Sequence, residues 1–137
     1  MSEQENIQVV QQAYRNFKTG DIKALIGLMT EDVTWQLAEI ENVPFAGKRR
    51  GLQEVGQFFS TLSDVQDVLK FEPQEFVSQG DKVVALGQYQ WRVKASGREY
   101  GGDWAHVFTV RDGKISGFHE YMDTAAASNA YQAAQAA

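Results

Sequence analysis

The sequence lacks cysteine altogether. A disulfide framework, a thiolate metal site and a cysteine nucleophile are therefore excluded. Positive charge is also scarce, because 18 acidic residues stand against 13 basic ones and give a formal net charge of −5. This balance argues against extended contact with a phosphate backbone, so we expect no nucleic acid partner.

Long apolar runs are missing as well. The N-terminal stretch MSEQENIQVVQQ has no basic segment followed by an apolar run, which a signal peptide requires. No stretch is long enough to span a bilayer, so we expect a cytoplasmic protein without membrane contact. A length of 137 residues with 43% hydrophobic residues predicts one globular domain over residues 1–137.

Apolar residues at helical spacing predict three helices in the first half of the chain. The first helix carries Ile7, Val10, Tyr14 and Phe17. The motif TGD follows, in which Gly20 suits a left-handed helix end and Asp21 suits the cap of the next helix. The second helix is short and its apolar positions are Ile22, Leu25, Ile26 and Met29. The third helix runs from Leu52 to Leu62.

Period-two patterns predict strands elsewhere. In EDVTWQL the residues Val33, Trp35 and Leu37 share one face, and a loop, AEIENVPFAGKRRG, follows. From Val68 onward the chain is predicted to form strands separated at QGD, ASG and RDG, with Pro73 at an edge or a bulge. The Ala-rich tail, residues 125–137, is either flexible or a helix anchored by Tyr131.

Three helices followed by an antiparallel run indicate an α+β fold with the helices on one face of a curved sheet. Such a sheet encloses a concave and mostly apolar cone. Cones of this kind are common small-molecule sites.

The segments FKTGDIKALIGLMTEDVTW and HVFTVRDGKISGFHEYMD resemble the NTF2-like superfamily, and within it the SnoaL-like and ketosteroid isomerase-like group. The resemblance covers essentially the whole chain. It implies a cone-shaped, strongly curved, mostly antiparallel (cystatin-like) sheet wrapped around N-terminal helices. It does not fix the reaction, because the fold hosts isomerases, cyclases, hydrolases, dehydratases and binding modules.

The isomerase mechanism of that group uses an Asp base, a Tyr and a protonated Asp. By alignment these positions fall on Leu37, Ala13 and His106. All three differ from the isomerase residues, so steroid isomerisation by that mechanism is not expected. Tyr14 follows the tyrosine position by one residue, which turns it about 100° around the helix.

The resemblance implies that alternate residues of the last two strands face the cone. On the first strand these are Trp104, His106 and Phe108, and on the second Phe118, Glu120 and Met122. The turn RDG decides the second set. A three-residue turn with Gly113 left-handed, or a longer loop, brings His106 opposite Glu120, and this is the interpretation we favour because the family alignment places Phe118 inside. A two-residue type I′ turn brings His106 opposite His119.

His106 and Glu120 together suggest a general-base pair, in which the carboxylate holds one imidazole nitrogen and the other faces a ligand. A purely structural histidine satisfied by a neighbouring acid is the alternative. Tyr14, Trp35 and Trp91 are further candidates for the pocket wall. The spacing of His106 and His119 matches no known zinc motif, so we expect neither a metal nor another cofactor.

Two functions remain open. One is a small-molecule enzyme of isomerase, cyclase or dehydratase type that moves protons on an apolar carbonyl compound. The other is a non-catalytic module that binds a small hydrophobic or aromatic ligand or dimerises. The resemblance also implies a homodimer through the outer sheet face, whose residues on the last two strands are Ala105, Val107, Thr109, His119 and Tyr121.

Overall fold

The computed structural model describes the backbone of residues 2–136 and the side chains of residues 2–132. Within these residues there are four helices and six strands. In chain order they are α1 (Glu3–Thr19), α2 (Ile22–Ile26), β1 (Met29–Gln36), β2 (Lys48–Arg50), α3 (Leu52–Val65), β3 (Gln66–Gln79), β4 (Lys82–Val93), β5 (Glu99–Arg111), β6 (Lys114–Tyr121) and α4 (Thr124–Ala136).

The six strands form one sheet in the order β2-β1-β6-β5-β4-β3. Neighbours are antiparallel except for β1 and β6, which run parallel. Helices α1 and α3 pack against the buried face of this sheet, and the buried apolar side chains form one cluster between the layers. The predicted α+β fold with a mostly antiparallel sheet is confirmed.

Helix α1 begins and ends where the sequence predicts. The Ser2 hydroxyl accepts from the Glu5 N–H at 3.0 Å, and the Ser2 N–H donates to the Glu5 carboxylate at 3.1 Å, which is a capping box. Gly20 closes the helix in the left-handed conformation, with φ of 77°. The helix is thereby fixed at both ends, with Val10 and Ala13 buried on its inner face.

Helix α2 is shorter than predicted. Asp21 caps it through the Ala24 N–H at 3.1 Å, but the helix ends at Ile26. Met29, which was expected in this helix, is the first residue of β1. The reason is sheet pairing, because the carbonyl of Leu28 already accepts a hydrogen bond from Ile115 on β6 at 2.8 Å.

The segment predicted as a loop contains strand β2, which pairs antiparallel with β1. Arg49 on β2 binds the loop that precedes this strand. Its guanidinium donates to the carbonyls of Phe45 and Ala46 at 2.6 and 2.8 Å and lies over the Phe58 ring at 5.2 Å. These contacts hold the loop closed, so that Phe45 is buried against the core.

Strands β3 and β4 follow the predicted pattern. Pro73 lies on the edge strand β3, and the register with β4 shifts between Pro73 and Glu75, as expected for a residue that lacks an N–H. On β4 the alternate residues predicted to share the inner face are all buried, and they are Val83, Ala85, Gly87, Tyr89, Trp91 and Val93.

The turn between β5 and β6 differs from the one we favoured. Arg111 pairs with Lys114, which leaves a two-residue loop. Both loop residues have positive φ, 51° at Asp112 and 78° at Gly113. Two positive φ values define a type I′ turn, so the expectation of a three-residue turn was wrong.

A β-bulge next to this turn restores the parity that the type I′ turn would have changed. Thr109 pairs with Gly117. The following residue on β5, Val110, pairs with Ile115, which leaves Ser116 as an extra residue on β6. Its hydroxyl lies 3.3 Å from the carbonyl oxygen of Thr109 and donates to it.

The turn and the bulge together set which side chain meets His106. Beyond the bulge His106 pairs with Glu120, as we favoured from the sequence, and both face the interior. His119 pairs with Val107 and lies on the outer face. The alternative partnership of the two histidines is therefore ruled out.

The Ala-rich tail forms helix α4 as far as it is described. Tyr131 is buried, as predicted, but it is not the sole anchor, because Ala127 and Ala130 are buried too. The Tyr131 ring meets Phe45 edge-on at 5.8 Å. Within residues 2–136, no helix combines the length and the hydropathy needed to cross a membrane.

Candidate functional site

A cavity of about 80 Å³ lies between α1, α3 and the concave face of the sheet. Most of the side chains around it are apolar or aromatic. The predicted site residues that line it are Tyr14, Trp35, Trp91, His106, Phe108, Phe118, Glu120 and Met122. Only a few polar groups are present in this wall, and they are the polar side chains of Tyr14, Gln66, Tyr100, His106 and Glu120 and the indole N–H groups of Trp35 and Trp91.

Trp104 is the one predicted site residue that does not line the cavity. It is buried behind His106, and the two rings stack at 4.0 Å with 15° between their planes. Its indole N–H donates to the carbonyl of Gln88 at 3.2 Å. Gly87, opposite Trp104 on β4, provides the space, because a Cβ at this position would overlap the indole ring. Trp104 therefore supports the imidazole from behind.

His106 and Glu120 form the pair expected from the sequence. The Nε2 atom of His106 lies 2.8 Å from Oε2 of Glu120. The imidazole is buried, with 4% of its side chain exposed, whereas 21% of the Glu120 side chain is exposed. An ionised carboxylate is only an acceptor, so Nε2 carries the proton in this contact.

Tyr14 occupies the other imidazole nitrogen. Its hydroxyl oxygen lies 2.7 Å from Nδ1 of His106. With the proton of the neutral ring on Nε2, Nδ1 is the acceptor and the phenol donates to it. The expectation that this nitrogen faces a ligand was therefore wrong. The hydroxyl of Tyr14, which lines the cavity, lies between Nδ1 of His106 and the cavity.

Burial raises the pKa of the Tyr14 hydroxyl well above its usual value, and the negative charge of Glu120 raises this pKa further. The phenol therefore keeps its proton at neutral pH. Phe118 meets the imidazole of His106 edge-on at 4.7 Å. The three polar groups thus form a continuous chain of hydrogen bonds, from carboxylate to imidazole to phenol, enclosed by aromatic rings.

Metal ligands do not gather at this site. Among the residues whose side chains are described, no three His, Asp or Glu groups converge in a way that would hold an ion. His119 points away from the cavity and contacts Tyr121 on the outer face, where the hydroxyl lies 3.1 Å from Nδ1.

The sequence of this chain matches a known domain family. A model of the SnoaL-like domain matches residues 10–118, which is more than half of the chain. The chain belongs to the SnoaL-like family. The comparison of this family member with curated proteins gives no significant match.

Three crystal structures of similar fold extend the comparison of this SnoaL-like chain. An NTF2-like protein from Burkholderia xenovorans LB400 is 35% identical, with a TM-score of 0.86 over 96% of this chain and 98% of that one. TerC, co-crystallized with polyporic acid, is 27% identical, with a TM-score of 0.83 over 93% and 98%. A Bacillus subtilis protein provisionally assigned as an isomerase has a TM-score of 0.81 over 97% of both chains. At 18% identity this last likeness shows the fold alone.

The positions aligned with isomerase residues lie in the cavity of this SnoaL-like chain. Leu37 and Ala13 both line it, and both are buried. Neither side chain can exchange a proton. Tyr14, displaced by one residue along α1, nevertheless reaches the cavity and His106. A phenol is thus present in this SnoaL-like cavity, although it comes from the neighbouring helix position.

Several lining residues were not predicted as site residues. Most are apolar residues of α1, α2, α3, β3 and the loop before β2, whose patterns are typical of an ordinary core, and they are Phe17, Leu25, Phe45, Phe58, Phe59, Leu62 and Phe71. Tyr100 and Gln66 are the polar ones. Gln66 stands between Val65 and Asp67 at the change from helix to strand, where no periodic signal marks it as inward.

Proposed function

We propose that this SnoaL-like chain binds a small apolar or aromatic carbonyl compound and moves a proton on it, as isomerases, cyclases and dehydratases do. The observation that carries the proposal is the hydrogen-bonded chain Tyr14–His106–Glu120 beside an otherwise apolar cavity. Proton transfer to a positioned side chain accelerates such reactions by about 10²–10⁴. A low-dielectric surrounding strengthens each contact in the chain.

The proposed route of the proton follows the two short contacts. A proton from an acidic group of the ligand passes to the Tyr14 oxygen while the phenolic proton passes to Nδ1 of His106. The ligand becomes an anion and the imidazole becomes a cation, whose charge is paired with Glu120. Reversal returns a proton to a different atom of the ligand. Tyr14 is then the catalytic residue, His106 holds the proton, and Glu120 orients the ring.

The packing around His106 is compatible with a charged imidazolium. Trp104 presents its ring face to the imidazole at 4.0 Å, and aromatic faces attract cations. Because Tyr14 keeps its proton, it can also donate a hydrogen bond to an anionic ligand oxygen once Nδ1 is protonated. With the imidazole either neutral or protonated, Tyr14, His106 and Glu120 therefore each have a hydrogen-bond or ionic partner.

The relatives support uptake of a small molecule. TerC was co-crystallized with polyporic acid, so a structure of 27% identity holds an organic ligand. The cavity of about 80 Å³ is smaller than the roughly 150 Å³ that accommodate benzene in a dry protein cavity. A larger ligand therefore enters only when lining side chains move, and the unbranched Met122 just after β6 is suited to this.

The test uses the ketone 2-tetralone in D₂O, since proton transfer at carbon then appears as deuterium incorporation by mass spectrometry. We expect the wild type to exceed the buffer rate, and Tyr14→Phe and Glu120→Gln to lower the enzymatic rate roughly 100-fold. Tyr121→Phe, which alters the same kind of Tyr–His contact on the outer face, is the matched control. Wild-type rates in both cavity variants would contradict the proposal.

A non-catalytic ligand-binding module is the second candidate. It is favoured by the small cavity and by Leu37 and Ala13, which fill two positions where isomerases carry reactive groups. Native mass spectrometry of the purified protein separates the candidates when it is combined with the exchange assay. A co-purified compound whose mass the protein does not change, together with no deuterium exchange into 2-tetralone, would favour a binding module.

We also propose a homodimer through the outer sheet face. The outer strip consists of apolar and aromatic residues that neighbour one another across β3, β4, β5 and β6, and it comprises Val77, Val84, Leu86, Ala105, Val107 and Tyr121. Val77, Leu86 and Tyr121 are 57%, 37% and 53% exposed. An exposed apolar strip on one open sheet face suits a second copy related by twofold symmetry.

A further inference from the structure

Gln66 is a buried polar residue of the cavity wall that the proton-transfer chain does not use. Only 4% of it is exposed. Its Oε1 atom accepts two hydrogen bonds, from the hydroxyl of Tyr100 at 2.7 Å and from that of Tyr131 at 2.6 Å. Its Nε2 atom is buried and has no hydrogen-bond partner among the residues the structure describes. A buried N–H donor without a partner is costly, so it marks a place where a ligand acceptor would be stabilising.

The two phenols hold this amide in one orientation. Burial raises the pKa of both the Tyr100 and the Tyr131 hydroxyls, so each keeps a proton to donate. The two lone pairs of Oε1 are thereby used, and rotation of the amide would break both contacts. The N–H groups of Gln66 are consequently preorganised and do not depend on the ligand for their position.

A second cavity residue carries a donor in the same condition. Trp35 lines the cavity, and its indole Nε1 is buried without a partner in the described part of the chain. The two buried polar atoms that lack a partner on cavity-lining residues, within the described part of the chain, are therefore both N–H donors. This asymmetry favours a ligand that brings acceptor oxygens rather than further donors to the cavity.

Gln66 and the Tyr14–His106–Glu120 chain lie at different places along one cavity. Tyr100, which holds the Gln66 amide, and His106 both face inward on β5, six residues apart. The wall around them is mainly aromatic. A ligand that satisfies both places is flat and apolar in its body, with one oxygen function near Tyr14 and a separate acceptor oxygen near Gln66.

We propose that Gln66 is a specificity-determining residue whose Nε2 donates a hydrogen bond to a carbonyl-type oxygen of an aromatic ligand carrying a second oxygen at its far end. This inference rests on the proposed function, because it assumes that the cavity is the ligand site. It adds the ligand class: an aromatic compound with two separated oxygen functions, one of them a carbonyl.

The test compares two probes that differ in one oxygen. The probe 6-acetyl-2-naphthol carries a hydroxyl at one end and a carbonyl at the other, and 6-isopropenyl-2-naphthol has the same planar shape with a C=CH2 group in place of the carbonyl. Calorimetry measures their affinities for the wild type. We expect a preference of roughly fivefold for the acetyl probe, which is the contribution of one neutral hydrogen bond.

Variants of Gln66 show whether this preference comes from the amide. Gln66→Glu keeps an oxygen for both phenols but places a second oxygen where the donor was, and at pH 8 we expect the preference to vanish or reverse. Gln66→Leu removes the amide entirely and should abolish the preference as well. Gln53→Glu, on the exposed surface of α3, introduces the same charge and should leave the preference intact.

The outcomes separate this inference from the proposed function. Equal affinity of the two probes for the wild type, or an unchanged preference in both Gln66 variants, overturns the role of Gln66 and leaves the proton-transfer chain untouched. Failure of the wild type to bind either probe overturns the proposed ligand class, while deuterium exchange into 2-tetralone continues to test the proposed function by itself.

Discussion

Replacing Tyr14 by phenylalanine removes one oxygen atom and tests the hydrogen-bonded chain directly. The ring and its aromatic contacts, such as that with Trp104 at 5.7 Å, remain in place. What is lost is the 2.7 Å contact to Nδ1 of His106, a residue that is only 3% exposed. An acceptor nitrogen is then buried without a partner.

The magnitude follows from this loss. A buried polar atom left without its partner costs about 1–3 kcal/mol, and removal of a partly buried hydroxyl offsets some of it, so we expect about 1.5 kcal/mol. Unfolding entropy of about 2.1 cal/mol/K per residue gives about 0.29 kcal/mol/K for 137 residues. The melting temperature should therefore fall by about 5 °C, and the free energy of unfolding in urea should fall by about 1.5 kcal/mol.

The chain offers a matched control on the opposite face of the sheet. Tyr121→Phe removes the same atom from a Tyr–His contact of 3.1 Å, but Tyr121 is 53% exposed. At protein concentrations too low for dimerisation we expect a loss below about 0.5 kcal/mol, because water then replaces the hydroxyl. A double-mutant cycle of Tyr14→Phe with His106→Phe isolates the pair, and a coupling of about 1 kcal/mol is expected. Equal losses in Tyr14→Phe and Tyr121→Phe, or a coupling near zero, would refute the reasoning.

Three further predictions concern packing, pH and assembly. Gly87→Ala should lower the free energy of unfolding by about 2 kcal/mol, because the new Cβ overlaps both the carbonyl oxygen of Glu72 and the ring of Trp104. Urea unfolding measures the change, and wild-type stability would show that strand β3 and the ring can both move away. Burial raises the pKa of Tyr89 to about 12, whereas the pKa of an unfolded tyrosine is about 10. Between these two pH values the folded state retains a proton that the unfolded chain releases. The contribution of Tyr89 to stability should therefore be full below about pH 10 and be lost between about pH 10 and 12, and a urea midpoint that stays constant through this range would contradict the assignment. Sedimentation velocity at micromolar concentration should give a dimer that Val107→Lys converts to a monomer; a wild-type monomer would show that the outer strip is not an interface.

The predictable parts of the fold are those that depend on local periodicity. The spacing of Val10, Tyr14 and Phe17 is sufficient for α1, and the glycine after it marks its end, because a left-handed residue stops a helix. Alternation along β4 likewise gives its buried face without knowledge of its neighbours. These signals come from residues within one turn or one pleat of each other.

The parts that failed depend on contacts distant in sequence. Strand β2 exists because Lys48–Arg50 pair with β1, and its three residues have no apolar alternation of their own. The side chain of Gln66 is oriented by hydrogen bonds from Tyr100 and Tyr131, which lie 34 and 65 residues further along the chain. No local sequence pattern indicates these contacts, so the position of Gln66 in the cavity wall could be found only from the structure.

The pairing of His106 with Glu120 shows how a correct inference can follow from an incorrect intermediate step. A type I′ turn alone would have turned Glu120 outward, because one residue of register reverses every side chain of a strand. The bulge at Ser116 cancels that reversal, and it lies where β6 also changes register against β1. Since β6 is paired on both sides, the bulge must fit the registers of both β1 and β5. The orientation of the carboxylate that completes the hydrogen-bonded chain therefore depends on how β6 pairs with its neighbours.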